Sequence, residues 1–291
     1  MGPEATMQPV ARQRIRPARA LFAAVVRTAP PVRPAVEKLA WRAVYEAASL
    51  GRREREAPLN YGYAELSDNG AATSENAYGR PLYAKVAGAI DLKGLDVLEI
   101  GCGRGGGTAH VFERFEPRSL IGLDLAAAAV KRARARYGRP GLRFVGGDAE
   151  QLPFANASFD AVLNVESSHC YPNTQRFFEE VSRVLRPGGH LLFADLRHTT
   201  ALAPGDAKDV ATLRRELEQA GLQVVEEEDI TANVVHALAL DTPRRRARVE
   251  RTVPRFVRPH VLELMAVQGS AMYDEFDSRR QTYLRFLLQK P

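Results

Sequence analysis

From Gly94 to Leu196, short apolar runs alternate with stretches of helical periodicity. That alternation restricts the fold more than any other feature of the chain. Leu95–Gly101, Ser119–Leu125, Leu142–Glu150, Phe159–Glu166 and His190–Leu196 read as strands or hold one. Thr108–Phe115, Ala126–Tyr137 and Thr174–Leu185 read as helices. The last of these points Phe177, Phe178, Val181, Val184 and Leu185 inward and is stopped by the turn Arg186–Gly189. Further on, the pattern predicts a helix over Ala207–Ala220, a sixth strand over Leu222–Ile230, a mostly helical tract over Asn233–Gln268 and a last strand over Gln281–Gln289. Strands that alternate with helices build a parallel sheet wound on both faces. In such sheets ligands lie beyond the carboxyl ends of the strands, where the strand order reverses. The residues that end strands are therefore the candidates for chemistry.

The N-terminal part has a different texture. Residues 1–19 are rich in Arg and broken by Pro3, Pro9 and Pro17, which predicts disorder. Ala20–Val26 is apolar and at the short limit of a signal-peptide core, but no clean small-residue cleavage site follows, so an N-terminal helix resting on apolar substrate or membrane is the favoured reading. Pro34–Glu56 has one apolar stripe and reads as a helix, Asn60–Leu66 as a Tyr/Gly loop, and Asn76–Ala89 as a helix interrupted near Gly79–Pro81. The expected organisation is a flexible basic leader over 1–33, an N-terminal helical cap or lid over 34–90, and a core over 91–291 with a helical cap inserted at about 233–280. The net charge of +6 is uneven: residues 1–56 and 244–258 each sum to +6, which leaves about −6 elsewhere. Such tracts suit nucleic acid, an anionic membrane surface or plain solvation, the last being the blander reading. No apolar run reaches the roughly 18 residues of a membrane span. Cys102 and Cys170 are too few for a disulfide scaffold, which fits a reducing, cytoplasmic compartment.

Between Leu98 and Thr108 the chain reads LEIGCGRGGGT. Gly101, Gly103 and Gly106 satisfy the dinucleotide spacing G-x-G-x-x-G, and Asp124 lies near the distance of a ribose-binding acid. Three details argue against a nicotinamide cofactor. Glu99 sets a carboxylate beside the loop, poor company for a pyrophosphate and good company for an ammonium or sulfonium. Asp148 and Ala149 end the third strand, where an acid can accept from an adenine amino group. SFDAVLNVESS and RPGGHLLFAD then follow at close spacing.

The ordered series E-x-G-x-G-x-G, Asp124, GDAEQLPF, SFDAV and VLRPGG, from about Leu95 to Leu196, resembles the class I S-adenosylmethionine-dependent methyltransferases. The resemblance implies an α/β, Rossmann-like, doubly wound seven-stranded sheet with the last strand antiparallel. It also implies S-adenosyl-L-methionine as cofactor. The backbone from Gly101 through Gly103 to Gly105 would meet its methionine part, and Asp124 its ribose hydroxyls. Leu125 would pack on adenine, Asp148 and the Ala149 amide would read the adenine edge, and Asn164 would lie near the sulfonium and amino group.

Methyl transfer is an in-line displacement, so the protein supplies mainly alignment, plus a base when the acceptor is a hydroxyl. His169 lies just past the fourth strand and Asp195 at the end of the fifth. A neutral imidazole oriented by a carboxylate can take that proton. E-S-x-H followed by A-D resembles small-molecule O-methyltransferases of the rebeccamycin sugar type, in which the matching pair is the proposed base and its partner. Glu166 is the alternative acid or base, or a partner for loop amides. Cys170 reads as packing, and the remaining histidines show no metal spacing, so no metal is expected.

The NPPY-type sequence of enzymes that methylate flipped-out bases is absent, which argues against a nucleic-acid partner. VLNVESSHCYP, RFFEEVSRVLRPGG and LLFADLR resemble phthiotriol-type methyltransferases, which O-methylate large lipid or polyketide secondary products. The resemblance implies a hydrophobic small-molecule acceptor. Trp41, Tyr45, Tyr61, Tyr63, Tyr171, Met265, Met272 and Tyr273 are expected to wall its pocket, with plain core as the bland alternative. A carbon or nitrogen acceptor, a non-methylating cyclase on the same fold and, less favoured, a nicotinamide oxidoreductase stay open. So do a homodimer and transient contact with a membrane surface, without stable insertion.

Overall fold

The computed structural model describes residues 60–70, 77–200 and 209–291. The expected leader, the helix over Pro34–Glu56, Trp41 and Tyr45 lie outside the described residues. In chain order the elements are α1 (Gly79–Ala87), β1 (Asp96–Ile100), α2 (Gly106–Phe115), β2 (Ser119–Asp124), α3 (Ala127–Tyr137), β3 (Leu142–Gly146), β4 (Phe159–Val165), α4 (Thr174–Val184), β5 (Leu185–His198), α5 (Val210–Gln219), β6 (Gln223–Asp229), α6 (Thr231–Thr252), α7 (Arg258–Leu264), α8 (Ala271–Asp277) and β7 (Gln281–Gln289). The seven strands form one sheet in the order β3-β2-β1-β4-β5-β7-β6. β7 runs antiparallel to both its neighbours, and the other pairings are parallel.

Alternate residues of every strand but the edge strand β6 feed two separate cores. Val97, Leu120, Ala161, Leu163, Leu192 and Tyr283 pack on the side of α1 and α2. Leu98, Ile100, Ile121, Val162, Leu191 and Phe286 pack on the side of α4 and α5. That second core is strung on aromatic contacts: Phe177 to Phe178 at 4.8 Å, Phe178 to Phe193 at 5.6 Å and Phe193 to Phe286 at 6.1 Å between ring centres. The period of two along a strand sends neighbouring side chains to opposite faces, so one apolar run serves both layers.

Two expectations are corrected. The helix expected over Asn76–Ala89 starts at Gly79, which puts Pro81 in its first turn, where a missing amide costs no helical hydrogen bond. The turn Arg186–Gly189 does not separate a helix from a strand; it is a bulge within β5. Its backbone finds partners past β7, with Gly188 N donating to Lys290 O at 2.8 Å and Gly189 O accepting from Lys290 N at 2.9 Å. The pairing of β4 with β5 shifts there, from Phe159 opposite Leu185 to Ala161 opposite His190. The strand order reverses between β1 and β4, and the carboxyl ends of β1, β2, β4 and β5 meet above that point.

Candidate active site

The loop after β1 is fixed by β2. The amides of Gly101 and Cys102 donate to Leu123 O at 2.8 and 3.0 Å. Asp124 ends β2 and receives Gly103 N on one carboxylate oxygen and Ala126 N on the other, both at 2.8 Å. The glycines have different reasons. A Cβ on Gly105 would come within 2.7 Å of Phe144, and one on Gly107 within 2.0 Å of Tyr83, so these positions are bare for packing. A Cβ on Gly101 would strike Ser167 Oγ at 2.3 Å and Tyr171 Oη at 2.8 Å. Only Gly103, with φ of +53°, combines a loop position with space: no atom lies within 4 Å of its Cβ direction. The expectation that side chains are missing so that a ligand can approach therefore narrows to Gly103.

Asn164 is completely buried on β4. Its Nδ2 donates to Ile100 O at 2.9 Å, Ser167 Oγ at 2.8 Å and Tyr171 Oη at 3.2 Å. Its Oδ1 is buried with no hydrogen-bond donor among the described residues. An orphaned buried acceptor costs about 1–3 kcal/mol until a donor reaches it. Glu99 is also fully buried, on the face of the sheet toward α1, and accepts from Tyr83 Oη at 2.8 Å. Burial raises its pKa to about 7 despite the nearby Thr108 and Tyr83 hydroxyls. Leu125 is half-buried between β2 and α3. Asp148 accepts from Glu150 N at 3.0 Å at the turn after β3, and Ala149 is buried beside it.

Past β4 the chain turns sharply. Glu166 adopts a left-handed φ of +53°, a strained conformation for a side chain other than glycine, and Ser168–Cys170 form a single 3₁₀ turn. The turn lowers His169 onto β5. His169 Nδ1 lies 2.7 Å from Asp195 Oδ1, while His169 N and Ser168 Oγ donate to Asp195 Oδ2 at 2.9 and 2.6 Å. Asp195 is 0% exposed and Arg197 2%. Arg197 Nη1 lies 3.3 Å from Asp195 Oδ2, and Nη2 donates to Ser168 Oγ at 2.6 Å. Burial would push the Asp195 carboxyl up, but His169, Arg197 and Ser168 overcome it and hold the pKa well below the usual carboxylate range. Burial likewise opposes an imidazolium at His169. The Cys170 sulfur and the Asp195 carboxylate outweigh it and keep the imidazole pKa well above 6.5. The His169 side chain is 23% exposed, so one side of the ring reaches the cleft.

Glu166 serves a different set of contacts. Its Oε2 accepts from Tyr61 N at 2.8 Å and from Tyr283 Oη at 2.9 Å, and burial raises its pKa to about 7. It ties the segment before α1 to β7. Arg245 on α6 adds a clasp, donating to Tyr61 O at 2.9 Å and Met265 O at 2.8 Å.

A model of the methyltransferase domain matches residues 98–193. The phthiotriol/phenolphthiotriol dimycocerosates methyltransferase of Mycobacterium leprae is 40% identical over 209 residues, 72% of this chain and 74% of the relative. The chain belongs to the class I S-adenosylmethionine-dependent methyltransferases. A fatty-acid O-methyltransferase of Mycolicibacterium smegmatis is 37% identical, over 80% of this chain and 83% of the relative. Two solved structures share the methyltransferase's fold at low identity. A sarcosine dimethylglycine methyltransferase described as putative, from Galdieria sulphuraria, has a TM-score of 0.71 at 13% identity and covers 86% of this chain and 98% of its own. The [4+2]-cyclase SpnF has a TM-score of 0.68 at 20% identity, over 86% and 95%.

The methyltransferase uses S-adenosylmethionine, and the cleft fits a compact cation: bare backbone at Gly103 and an unmatched buried acceptor on Asn164. Of the expected pocket residues, Tyr61 and Tyr171 lie beside the cluster, Tyr61 through Glu166 and Tyr171 through Ser167. Met265 is joined to Tyr61 by Arg245, and Met272 is half-buried against the first core. Tyr63 and Tyr273 are buried in that core. The Tyr63 hydroxyl turns to Glu65, and its ring lines a separate surface cavity of about 490 Å³. Sequence reasoning missed Tyr83, Ser168, Arg197 and Tyr283. Only Arg197 carried a signal, being a charge two residues after Asp195 in an apolar strand and so on the same face.

Proposed function

We propose that this methyltransferase transfers a methyl group to a hydroxyl of a hydrophobic, lipid-like acceptor, with His169 as general base and Asp195 as its positioning carboxylate. The observation that carries the reading is the 2.7 Å contact between His169 Nδ1 and a carboxylate that is wholly buried and fixed by four further donors, Ser168 Oγ, His169 N, Leu196 N and Arg197. With Nδ1–H donated to Asp195, the neutral imidazole takes the acceptor's proton at Nε2, and because the folded pKa is raised above 6.5 that working form, and with it the transfer rate, grows as pH rises. The carboxylate holds that tautomer and stabilises the imidazolium formed as the hydroxyl loses its proton. Such a positioned base contributes about 10²–10⁴ in rate.

Bound S-adenosylmethionine supplies an electrophilic methyl group on a sulfonium. In this reading the Gly101–Gly105 backbone and Asn164 Oδ1 hold its methionine end, Asp124 its ribose, and Leu125, Asp148 and the Ala149 amide its adenine. Glu99 acts from beneath the loop through Tyr83, and Glu166 positions Tyr61 at the edge of the acceptor site. Tyr171, Met265 and Met272 border the acceptor, and its lipid-like character follows the printed activities of the two relatives.

The base argues for a hydroxyl in particular. A carboxylate acceptor arrives ionised and needs no proton removed. The test is to incubate the protein with methyl-labelled cofactor and two long-chain acceptors, one an alcohol or phenol and one a fatty acid, and to identify the product linkage by NMR. Methoxy product from the alcohol or phenol, lost in His169→Ala, is expected. Methyl ester alone, formed equally well by His169→Ala, would remove the base from the reaction. A methyl group found on carbon or nitrogen would remove the hydroxyl.

A further inference from the structure

The hairpin formed by the end of α6 and by α7 carries a surface that methyl transfer does not account for. Arg246, Arg251 and Arg255 are exposed and Arg248 and Arg258 half-buried, against one exposed acid on the same stretch, Glu250. Five guanidinium groups against Glu250 and the half-buried Glu263 of α7 leave a local charge of about +3. Two of them bond to backbone carbonyls, Arg246 to Gln268 O at 2.8 Å and Arg258 to Val253 O at 2.9 Å, contacts that orient the charge without neutralising it. At the apex, between the two helices, Phe256 is 82% exposed, more than any other large apolar side chain among the described residues. Leu264, at the far end of α7, is 61% exposed. A solvated arginine face has no use for a bare aromatic ring between Arg255 and Arg258. A surface that meets anionic headgroups does, since arginines take the phosphates and the ring enters the acyl boundary.

The hairpin also leads to the site. α7 is about 10 Å long at 1.5 Å per residue. It ends at Leu264, whose carbonyl accepts from Tyr61 Oη at 3.4 Å, and at Met265, whose carbonyl is held by Arg245. Tyr61 N is bonded to Glu166, three residues before His169. One short helix thus spans from the basic apex to the border of the base cluster.

We propose that this hairpin docks the enzyme on an anionic lipid surface, with Phe256 inserted among the headgroups, so that a membrane-dissolved acceptor enters alongside α7. The proposal deepens the lipid-acceptor reading and rests on it, but docking is read without turnover. The full chain is sedimented with vesicles of phosphatidylglycerol and phosphatidylcholine, and with vesicles of phosphatidylcholine alone. Wild type binds the anionic vesicles, and binding weakens with salt. Arg251→Gln with Arg255→Gln lowers the partition coefficient roughly 25-fold, about fivefold for each arginine. Phe256→Ser lowers it about tenfold. The charge-keeping pair Arg251→Lys and Arg255→Lys binds like wild type, which separates charge from folding. S-adenosylhomocysteine affinity is unchanged in all of them.

The proposal is overturned if wild type binds neither vesicle, or if the Gln pair binds as well as wild type, which would assign binding to the basic N-terminal residues. It is equally overturned if Phe256→Ser abolishes self-association and leaves vesicle binding intact, which would make the face an interface between copies. A chain that docks as described yet methylates no lipid would fail the acceptor reading alone. A chain that methylates a lipid hydroxyl and ignores vesicles would fail the docking alone.

Discussion

Replacing Asp195 by Asn tests the cluster where it is most exposed to refutation. The substitution keeps volume and removes one charge from a site with no access to water. Arg197 is then a buried cation whose acid partner at 3.3 Å is gone. Removing one member of a buried pair costs about 3–5 kcal/mol. Arg197 retains Leu196 O at 2.7 Å and Ser168 Oγ at 2.6 Å, so the lower end, about 3 kcal/mol, is expected. That is a large part of a usual stability of about 5–15 kcal/mol. The imidazole responds too. In wild type its folded pKa is raised above 6.5, so its attraction to Asp195 contributes stability that is full below 6.5 and is lost as pH rises through the folded value. Without the carboxylate, burial remains and the His169 pKa falls. Urea unfolding gives the stability, and NMR titration of the His169 ring proton, assigned with His169→Gln, gives the pKa. Neither needs an acceptor. A stability loss under about 1 kcal/mol, or an unmoved titration, would refute the cluster as described.

Two further substitutions separate packing from binding. Gly103→Ala meets no atom and carries only left-handed strain, so stability should fall by about 1 kcal/mol while S-adenosylhomocysteine affinity, read by calorimetry, drops at least about tenfold. Gly105→Ala drives a methyl into Phe144 and Ala133 and should cost several kcal/mol, roughly 3 or more, in thermal or urea unfolding. Equal losses of stability would contradict the separate roles. Glu99 and Glu166 both have carboxyls raised to about 7, so the folded state holds their protons more tightly than the unfolded chain does. Stability therefore falls as pH rises between 4.5 and 7, by about 3 kcal/mol for each group. Glu99→Gln should halve that slope in the protein without cofactor, and an unchanged slope would remove Glu99 from it.

The sheet was legible because its central strands β1, β2 and β4 are short apolar runs, and β7 occupies the predicted Gln281–Gln289. The helical tract after β6 was legible only as helix. Its break at Val253 precedes Pro254, a local signal, whereas the one at Met265 is held by Arg245, which donates to Met265 O from 20 residues away. The approach of His169 to Asp195 could be expected because one follows β4 and the other lies near the carboxyl end of its neighbour β5, which runs on to His198 instead of ending there. The contacts that hold the site could not: Tyr283 reaches Glu166 across 117 residues, and Tyr61 reaches it across 105. The glycine loop announced itself by composition. Which glycine faces packing and which faces open space is a matter of where Phe144 and Tyr83 come to lie, and no local pattern encodes that.

The most direct measurement of the proposed chemistry is single-turnover methyl transfer to a long-chain alcohol or phenol by wild type and His169→Ala, with S-adenosylhomocysteine binding measured on the same samples. Loss of about 10²–10⁴ in the transfer rate with cofactor affinity retained is the expected result. Transfer within about fivefold of wild type would show that the imidazole takes no proton.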